Sequence, residues 1–426
     1  VEPSPREPEE HGTPADHRND TAPGARRAPT RARGALLTAG ALGAAVLTVT
    51  ATLLLALPDQ APAGELPALA RSHGIGLGVA VAVDPLVRDG GYQDVVTSHY
   101  TSVTAENTMK WEYVQPERDE FDWSGPDAVV DFAQRHGLGV RGHTLLWHNQ
   151  QPPWLSEGTW TGAELREVMR EHTDALLGRY RGRITTWDVI NEPLVDDGPR
   201  LRDNLWHRVL GEDYIAEALR MAHEADPGAR LYINEFGIEG AGPKADALHA
   251  LVTDLLDRGV PLHGIGFQGH FVHGSVPEDL TEQMRRYSDL GLDVTVSELD
   301  VRIPEPAGQE QLEEQAREYR RVVQACLDVP RCVNVTVWGV SDQHSWIPEW
   351  FPGYTAALPF DGSYRPKPAL AGMAQALERR RAGTARPGRT APRTPPGHRT
   401  RLKNSKGPGT REPRPVSAER PATPPP

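Results

Sequence analysis

From residue 66 onward the chain alternates short apolar runs with longer stretches in which apolar residues recur every three or four positions. The short runs are rich in β-branched and aromatic residues and predict strands over 75–82, 102–107, 138–147, 184–192, 230–236, 263–270, 293–301 and 333–341. The longer stretches predict helices. In 164–180, Leu165, Val168, Met169, His172, Leu176 and Tyr180 fall on one face, and similar spacing covers 129–135, 214–224, 245–256, 280–290, 311–327 and 369–377. Eight strand-then-helix repeats predict an α/β fold, a (β/α)8 TIM barrel, whose chemistry belongs at the carboxyl ends of its strands. A doubly wound open sheet is the alternative. It more often carries a glycine-rich phosphate turn after its first strand, whereas Gly74-Ile75-Gly76-Leu77-Gly78 falls inside the first predicted strand.

Two predicted strands end in an acid. Thr185-Thr186-Trp187-Asp188-Val189-Ile190-Asn191-Glu192-Pro193 is apolar and β-branched until Asn-Glu-Pro, where proline ends the ladder and leaves Glu192 at the mouth of the barrel. Val294-Thr295-Val296-Ser297-Glu298-Leu299-Asp300 repeats the pattern and delivers Glu298. The rest of the barrel reads as what holds these two carboxyls face to face.

Composition changes the picture mainly at the ends. The formal charge is −12, but residues 34–378 hold 50 acids against 27 bases, a net of −23, and 379–426 hold thirteen bases against two acids. The acidic middle disfavours nucleic acid as a partner. Residues 1–33 and 379–426 lack apolar periodicity and predict disordered tails around one catalytic domain at 64–378. Segment 34–58 carries no charge and follows Arg26, Arg27, Arg31 and Arg33, the pattern of a signal peptide over 34–63 cleaved near Ala63, or of a membrane anchor if uncleaved. An exported chain with Cys326 and Cys332 as its two cysteines predicts a disulfide between them, and their spacing does not suit zinc. No metal or other cofactor is called for.

Polar side chains gather where predicted strands end: Glu106, Asn107 and Lys110 after the second, His143, Trp147 and His148 on the third, Asn191 and Glu192 on the fourth. Gln268 and His270 follow on the sixth, Glu298 and Asp300 on the seventh, and Trp338, Asp342, His344 and Trp346 on the eighth. Two carboxyls among neutral hydrogen-bonding groups and indoles suit a sugar polymer, because amides meet hydroxyls and indole faces stack on pyranose rings. Each assignment has a structural rival. A lone histidine is more often a core residue, Asp300 could cap a loop or pair with Arg302, and Trp111, Trp123, Trp187 and Trp206 read as packing.

TAENTMKW (104–111), RGHTLLWHNQQPPWL (141–155), TWDVINEP (186–193), GIGFQGH (264–270), VTVSELDV (294–301) and WGVSDQHSW (338–346) together resemble the ordered motifs of family 10 glycoside hydrolases, the endo-β-1,4-xylanases. The resemblance implies a retaining enzyme acting on xylan and xylo-oligosaccharides, with Glu192 as acid and base and Glu298 as nucleophile; with the export segment at 34–58 the expectation is a secreted monomer. It further implies that Asn191 bonds the sugar 2-hydroxyl, that His270 orients Glu298 with Asp300 behind it, and that Gln268 lines the same site. Glu106, Asn107, Lys110, His143 and Trp147 would contact sugars on the non-reducing side, and Trp338 and Trp346 would wall the cleft. Within the class, a β-1,4-glucanase or aryl-glycosidase is the alternative. Outside it stands a non-catalytic, envelope-tethered carbohydrate-binding protein. One departure is visible: Asn234-Glu235-Phe236-Gly237 stands where the family commonly has Asn-Asp-Tyr-Asn, which removes a phenol hydroxyl and an amide on the leaving-group side.

Overall fold

The structure, a computed structural model, describes residues 65–379. The tails and apolar segment read at 1–33, 34–63 and 379–426 lie outside the described residues, apart from Arg379 at the end of the last helix.

Ten strands are present among the described residues: β1 (Gly76–Val81), β2 (Ser102–Ala105), β3 (Gly139–Leu146), β4 (Thr186–Asn191), β5 (Arg230–Glu235), β6 (Gly264–Phe267), β7 (His270–Val272), β8 (Asp293–Pro304), β9 (Cys332–Val337) and β10 (Tyr354–Thr355). Eight of them, β1 to β6 with β8 and β9, run parallel to their neighbours in chain order. The ring closes where β9 pairs with β1, from Gly76 beside Asn334 to Val79 beside Val337. This is the (β/α)8 barrel that the repeats predict. The short β7 extends the mouth beside β8, and β10 lies antiparallel on the outer end of β8.

Parallel strands covered on both sides are apolar along nearly their whole length, and β1, β4, β5 and β8 are buried at almost every position. Glycines inside the barrel make room for large neighbours. A Cβ on Gly142 of β3 would stand 2.1 Å from the Trp187 ring of β4, and one on Gly266 of β6 would stand 2.1 Å from the Asn234 amide oxygen of β5. The first fills the core with a fully buried indole; the second admits a polar side chain that the site needs.

The outer helices follow their sequence signals. Gly162–Tyr180 starts at Thr161, whose hydroxyl accepts from the Glu164 amide while the Glu164 carboxylate receives the Thr161 N–H, a reciprocal cap. Gly90–His99 carries no such signal in its opening Gly-Gly pair, yet it forms because Asp89 accepts from the amides of Gly91 and Tyr92. Cys326 and Cys332 are joined as expected, tying the helix Gln309–Asp328 to the start of β9. A loop this short stabilises by about 2 kcal/mol on the chain-entropy estimate.

Candidate active site

At the end of β4 the backbone turns sharply. Glu192 has φ of 53°, a left-handed conformation that a residue with a Cβ seldom adopts and that costs about 1–3 kcal/mol. The turn is held from both sides. The Glu192 N–H donates to the Asn234 carbonyl at 2.9 Å, and the Leu194 N–H donates to the buried Glu235 carboxyl at 3.1 Å. Arg202 donates to the carbonyls of Glu192 at 3.3 Å and Leu194 at 2.7 Å.

The side chain thus presented is fixed at both oxygens. Trp147 Nε1 donates to Oε2 at 2.8 Å and Gln268 Nε2 donates to Oε1 at 3.0 Å. Trp147, predicted as a sugar contact, therefore also holds this carboxyl directly. His148 Nδ1 stands 3.7 Å from Oε2, and burial, aided by the Arg202 charge, pushes its pKa down to about 4, so it is neutral near pH 7.

Glu298, at 5% exposure on β8, is held differently. Its N–H donates to the Gln268 carbonyl at 2.8 Å, which fixes the strand against the loop after β6. Oε2 faces His270 Nε2 at 3.1 Å, and His270 Nδ1 faces Asp300 Oδ2 at 2.9 Å, where Trp346 Nε1 also donates at 2.9 Å. Burial works to raise the Glu298 pKa, but the His270 hydrogen bond and the electrostatic influence of the neighbouring imidazoles outweigh it and leave it below the ordinary value. Burial likewise works against a charged His270. The Asp300 carboxylate, the hydrogen bonds to Asp300 and Glu298, and the Glu298 charge overcome that and bring it up to about 10. Asp300 is spent on this relay, and no ion pair joins it to Arg302 among the described residues.

Two amides span the carboxyls. Asn234 Nδ2 donates to Glu298 Oε1 at 2.6 Å and to Asn191 Oδ1 at 2.9 Å, while Asn191 Nδ2 donates to Glu192 Oε1 at 3.3 Å. Ser297 Oγ orients Asn234 by donating to its oxygen at 2.5 Å. The bridging role of Asn234 escaped sequence reasoning. So did Arg141 and Asp188, a buried pair in which Arg141 Nε donates to Asp188 Oδ2 at 2.9 Å and His143 Nδ1 meets the same oxygen at 3.1 Å. The alternation of β3 and β4, which sends Arg141, His143 and Asp188 inward, was the available signal.

The remaining sequence candidates gather around the pair. Lys110 Nζ donates to Asn107 Oδ1 at 2.8 Å and Gln150 Oε1 at 2.7 Å and lies 4.8 Å from the Trp147 ring centre. Burial lowers its pKa, against the charges of Glu298, Glu106, Glu192 and Glu112, so the cation faces both carboxyls. Burial also raises Glu106 to about 7, opposed by Lys110. Trp338 meets His143 edge-on at 5.2 Å, and Trp346 lies 5.0 Å from His270. Asp342 and His344 turn elsewhere, to Lys367 and to the Tyr364 hydroxyl. Trp111, Trp187 and Trp206 are buried packing, with Trp111 stacked on His172 at 3.6 Å. At the departure after β5, Lys244 Nζ sits 3.5 Å above the Phe236 ring and 3.0 Å from Glu235. Burial raises Glu235 to about 8, partly offset by Lys244 and reinforced by Glu192.

The arrangement supplies one carboxylate held ionised by an imidazolium and a second carboxyl with both oxygens oriented, which is the equipment for nucleophilic attack with proton delivery. His270→Asn removes the cation, and the Glu298 carboxyl is expected to titrate at higher pH when followed by ¹³C NMR of labelled glutamate. An unmoved titration contradicts the ion-pair account. In stability the sign is fixed by the raised pKa of His270: its contribution is full below its unfolded value of about 6.5 and is lost as pH rises through about 10.

The family description "Glycosyl hydrolase family 10" matches residues 65–376. The chain is 40% identical over 277 residues to the endo-1,4-beta-xylanase of Agaricus bisporus, covering 65% of this chain and 83% of that protein. It is 40% identical over 303 residues to endo-1,4-beta-xylanase A of Fusarium oxysporum, covering 68% and 92%. Among solved structures, xylanase 10B of Thermotoga petrophila in complex with xylobiose is similar with a TM-score of 0.72 at 34% identity, over 74% of this chain and 97% of that one.

Proposed function

The chain belongs to glycosyl hydrolase family 10, and on that premise we propose that its endo-1,4-β-xylanase activity runs by double displacement, with Glu298 as nucleophile and Glu192 as acid and then base. The single observation that carries this reading is the buried Glu298 carboxylate facing an imidazolium at 3.1 Å, with Glu192 linked to it through Asn234 and Asn191.

The steps follow from the chemistry of such a pair. Glu192 donates its proton to the glycosidic oxygen as the Glu298 carboxylate attacks the anomeric carbon, so that the sugar–oxygen bond breaks and a glycosyl ester forms. The leaving chain departs and water enters. Glu192, now ionised, takes a proton from that water, whose oxygen attacks the same carbon and expels Glu298 as carboxylate. Two inversions give net retention. Trp147 and Gln268 both donate to Glu192 and keep its oxygens aimed through both steps, the carboxyl giving a proton in the first and taking one in the second.

Roles around the pair follow. Asn191 is positioned to bond the 2-hydroxyl of the sugar being cleaved, a contact that strengthens at the transition state. Asn107, Lys110, Glu106 and His143 hold the non-reducing side, and Trp338 and Trp346 stack on sugar faces. On the leaving-group side the ammonium of Lys244 covers the Phe236 ring, so that side offers fewer hydroxyl partners than the family pattern. The enzyme acts as a monomer without a cofactor, and nucleic acid is no partner.

Glu298→Ala is expected to lower kcat on soluble xylan by at least about 10⁴-fold with the fold intact by circular dichroism. Glu192→Ala is expected to lose most activity on xylan yet retain the first step on aryl xylobiosides with a good leaving group, because such a group departs without protonation. Release of mixed xylo-oligosaccharides from xylan and not from carboxymethyl cellulose checks the substrate. Activity on cellulose alone, or a Glu298→Ala variant as active as the parent, contradicts the reading.

Export is proposed on the charge-free segment 34–58 and its preceding arginines. Amino-terminal sequencing of protein from culture medium should begin near Gly64; a chain that stays with the membrane fraction shows an anchor instead.

A further inference from the structure

Beyond the catalytic cleft, the rim formed by the short helix Ile347–Trp350 and the outer end of β8 carries groups that the roles above leave unused. Trp350 is 68% exposed, far more than any other indole the core and cleft account for. Its ring centre lies 6.4 Å from that of Trp346, which is itself bonded to Asp300 of the nucleophile's relay. The exposed indole therefore lies outside the cleft, against the outer side of the Trp346 ring. On β8, residues Glu298, Asp300 and Arg302 alternate onto one face, so Arg302 is the next inward-facing group outward from the nucleophile. Its guanidinium lies 4.0 Å from the Phe351 ring centre and 5.5 Å from that of Tyr354. Its Nε is buried with no hydrogen-bond partner, and no carboxylate reaches ion-pair distance of it among the described residues. Phe351 in turn packs on Trp346 at 5.4 Å, which makes Trp350, Trp346, Phe351 and Arg302 one contiguous patch.

We propose that this patch is a subsite for an acidic sugar branch of xylan, the pyranose ring lying on Trp350 and its carboxylate meeting Arg302. Resting on the xylanase reading, it names which decorated backbone the cleft accepts. An exposed indole face suits a pyranose, and the terminal nitrogens of a guanidinium that makes no ion pair among the described residues suit a carboxylate, the buried Nε staying against the aromatic rings. The barrel region is strongly acidic, with a net charge of −23 over 34–378, so a uronate approaching the cleft is repelled elsewhere and needs a cation where it docks.

The test compares wild type and Trp350→Ala on linear xylohexaose, on glucuronoxylan and on glucuronoxylan whose carboxylates have been reduced to alcohols. Trp350 is exposed, so its loss leaves the fold alone. Expected is a fall of about three- to tenfold in kcat/KM on glucuronoxylan for the variant, with xylohexaose within about twofold. Wild type should also lose part of its kcat/KM on the carboxyl-reduced polymer, by about the same factor. An equal fall on xylohexaose overturns the proposal, because the indole then serves the main chain. So does an unchanged rate on glucuronoxylan, or a wild type that treats native and reduced polymers alike. A wild type silent on xylohexaose contradicts the xylanase reading itself, and the branch subsite with it.

Discussion

Everything at the mouth of this barrel answers to one constraint: a carboxylate at 5% exposure has to stay charged. An isolated ion so buried would take up a proton. Glu298 is kept from doing so by His270, and His270 is kept protonated by Asp300, which Trp346 holds from the far side. The relay is a chain of compensations in which each member is costly alone. Removing one charge leaves its neighbour buried and unpaired, which is why the arrangement behaves as a unit.

The second constraint is geometric and falls on the backbone. A second carboxyl facing Glu298 must come from another strand, and the barrel supplies one by bending the chain at Glu192 into a left-handed conformation. Hydrogen bonds from Glu192 and Leu194 to β5, and from Arg202 to their carbonyls, offset that strain. Asn234 then couples the two halves, reaching Asn191 on one side and Glu298 on the other. Gly266 matters for the same reason, since any side chain there would occupy the space of the Asn234 amide. Register, backbone strain and electrostatics meet in that one residue.

Glu192 and Glu298 were legible in the sequence because each follows an apolar, β-branched run, a local pattern that survives without knowledge of the fold; Glu192 does stand at a strand end, whereas β8 runs on to Pro304 and carries Glu298 within it. The barrel was legible for a similar reason, as the periods of eight strands and their helices repeat. Asn234 was visible only as the start of an altered motif. Its partners lie 43 and 64 residues away, and only strand register shows that one amide can serve both. Arg141 and Asp188 were hidden by being charged residues inside apolar runs, where pairing 47 residues apart is what makes them tolerable. The helix Gly90–His99 was obscured by its two glycines, which lower helix propensity until the Asp89 cap is seen. Trp147 was read for its ring, and the structure adds its N–H, which donates to the Glu192 carboxyl.

The most direct measurement is to trap the intermediate. An activated 2-deoxy-2-fluoro xylobioside slows the breakdown of a glycosyl-enzyme more than its formation, and peptide mass spectrometry of the inactivated protein locates the sugar. One fluoroxylobiosyl group is expected, attached to Glu298. A label on Glu192 would reverse the two roles, and an enzyme that turns the reagent over with no covalent label would contradict double displacement.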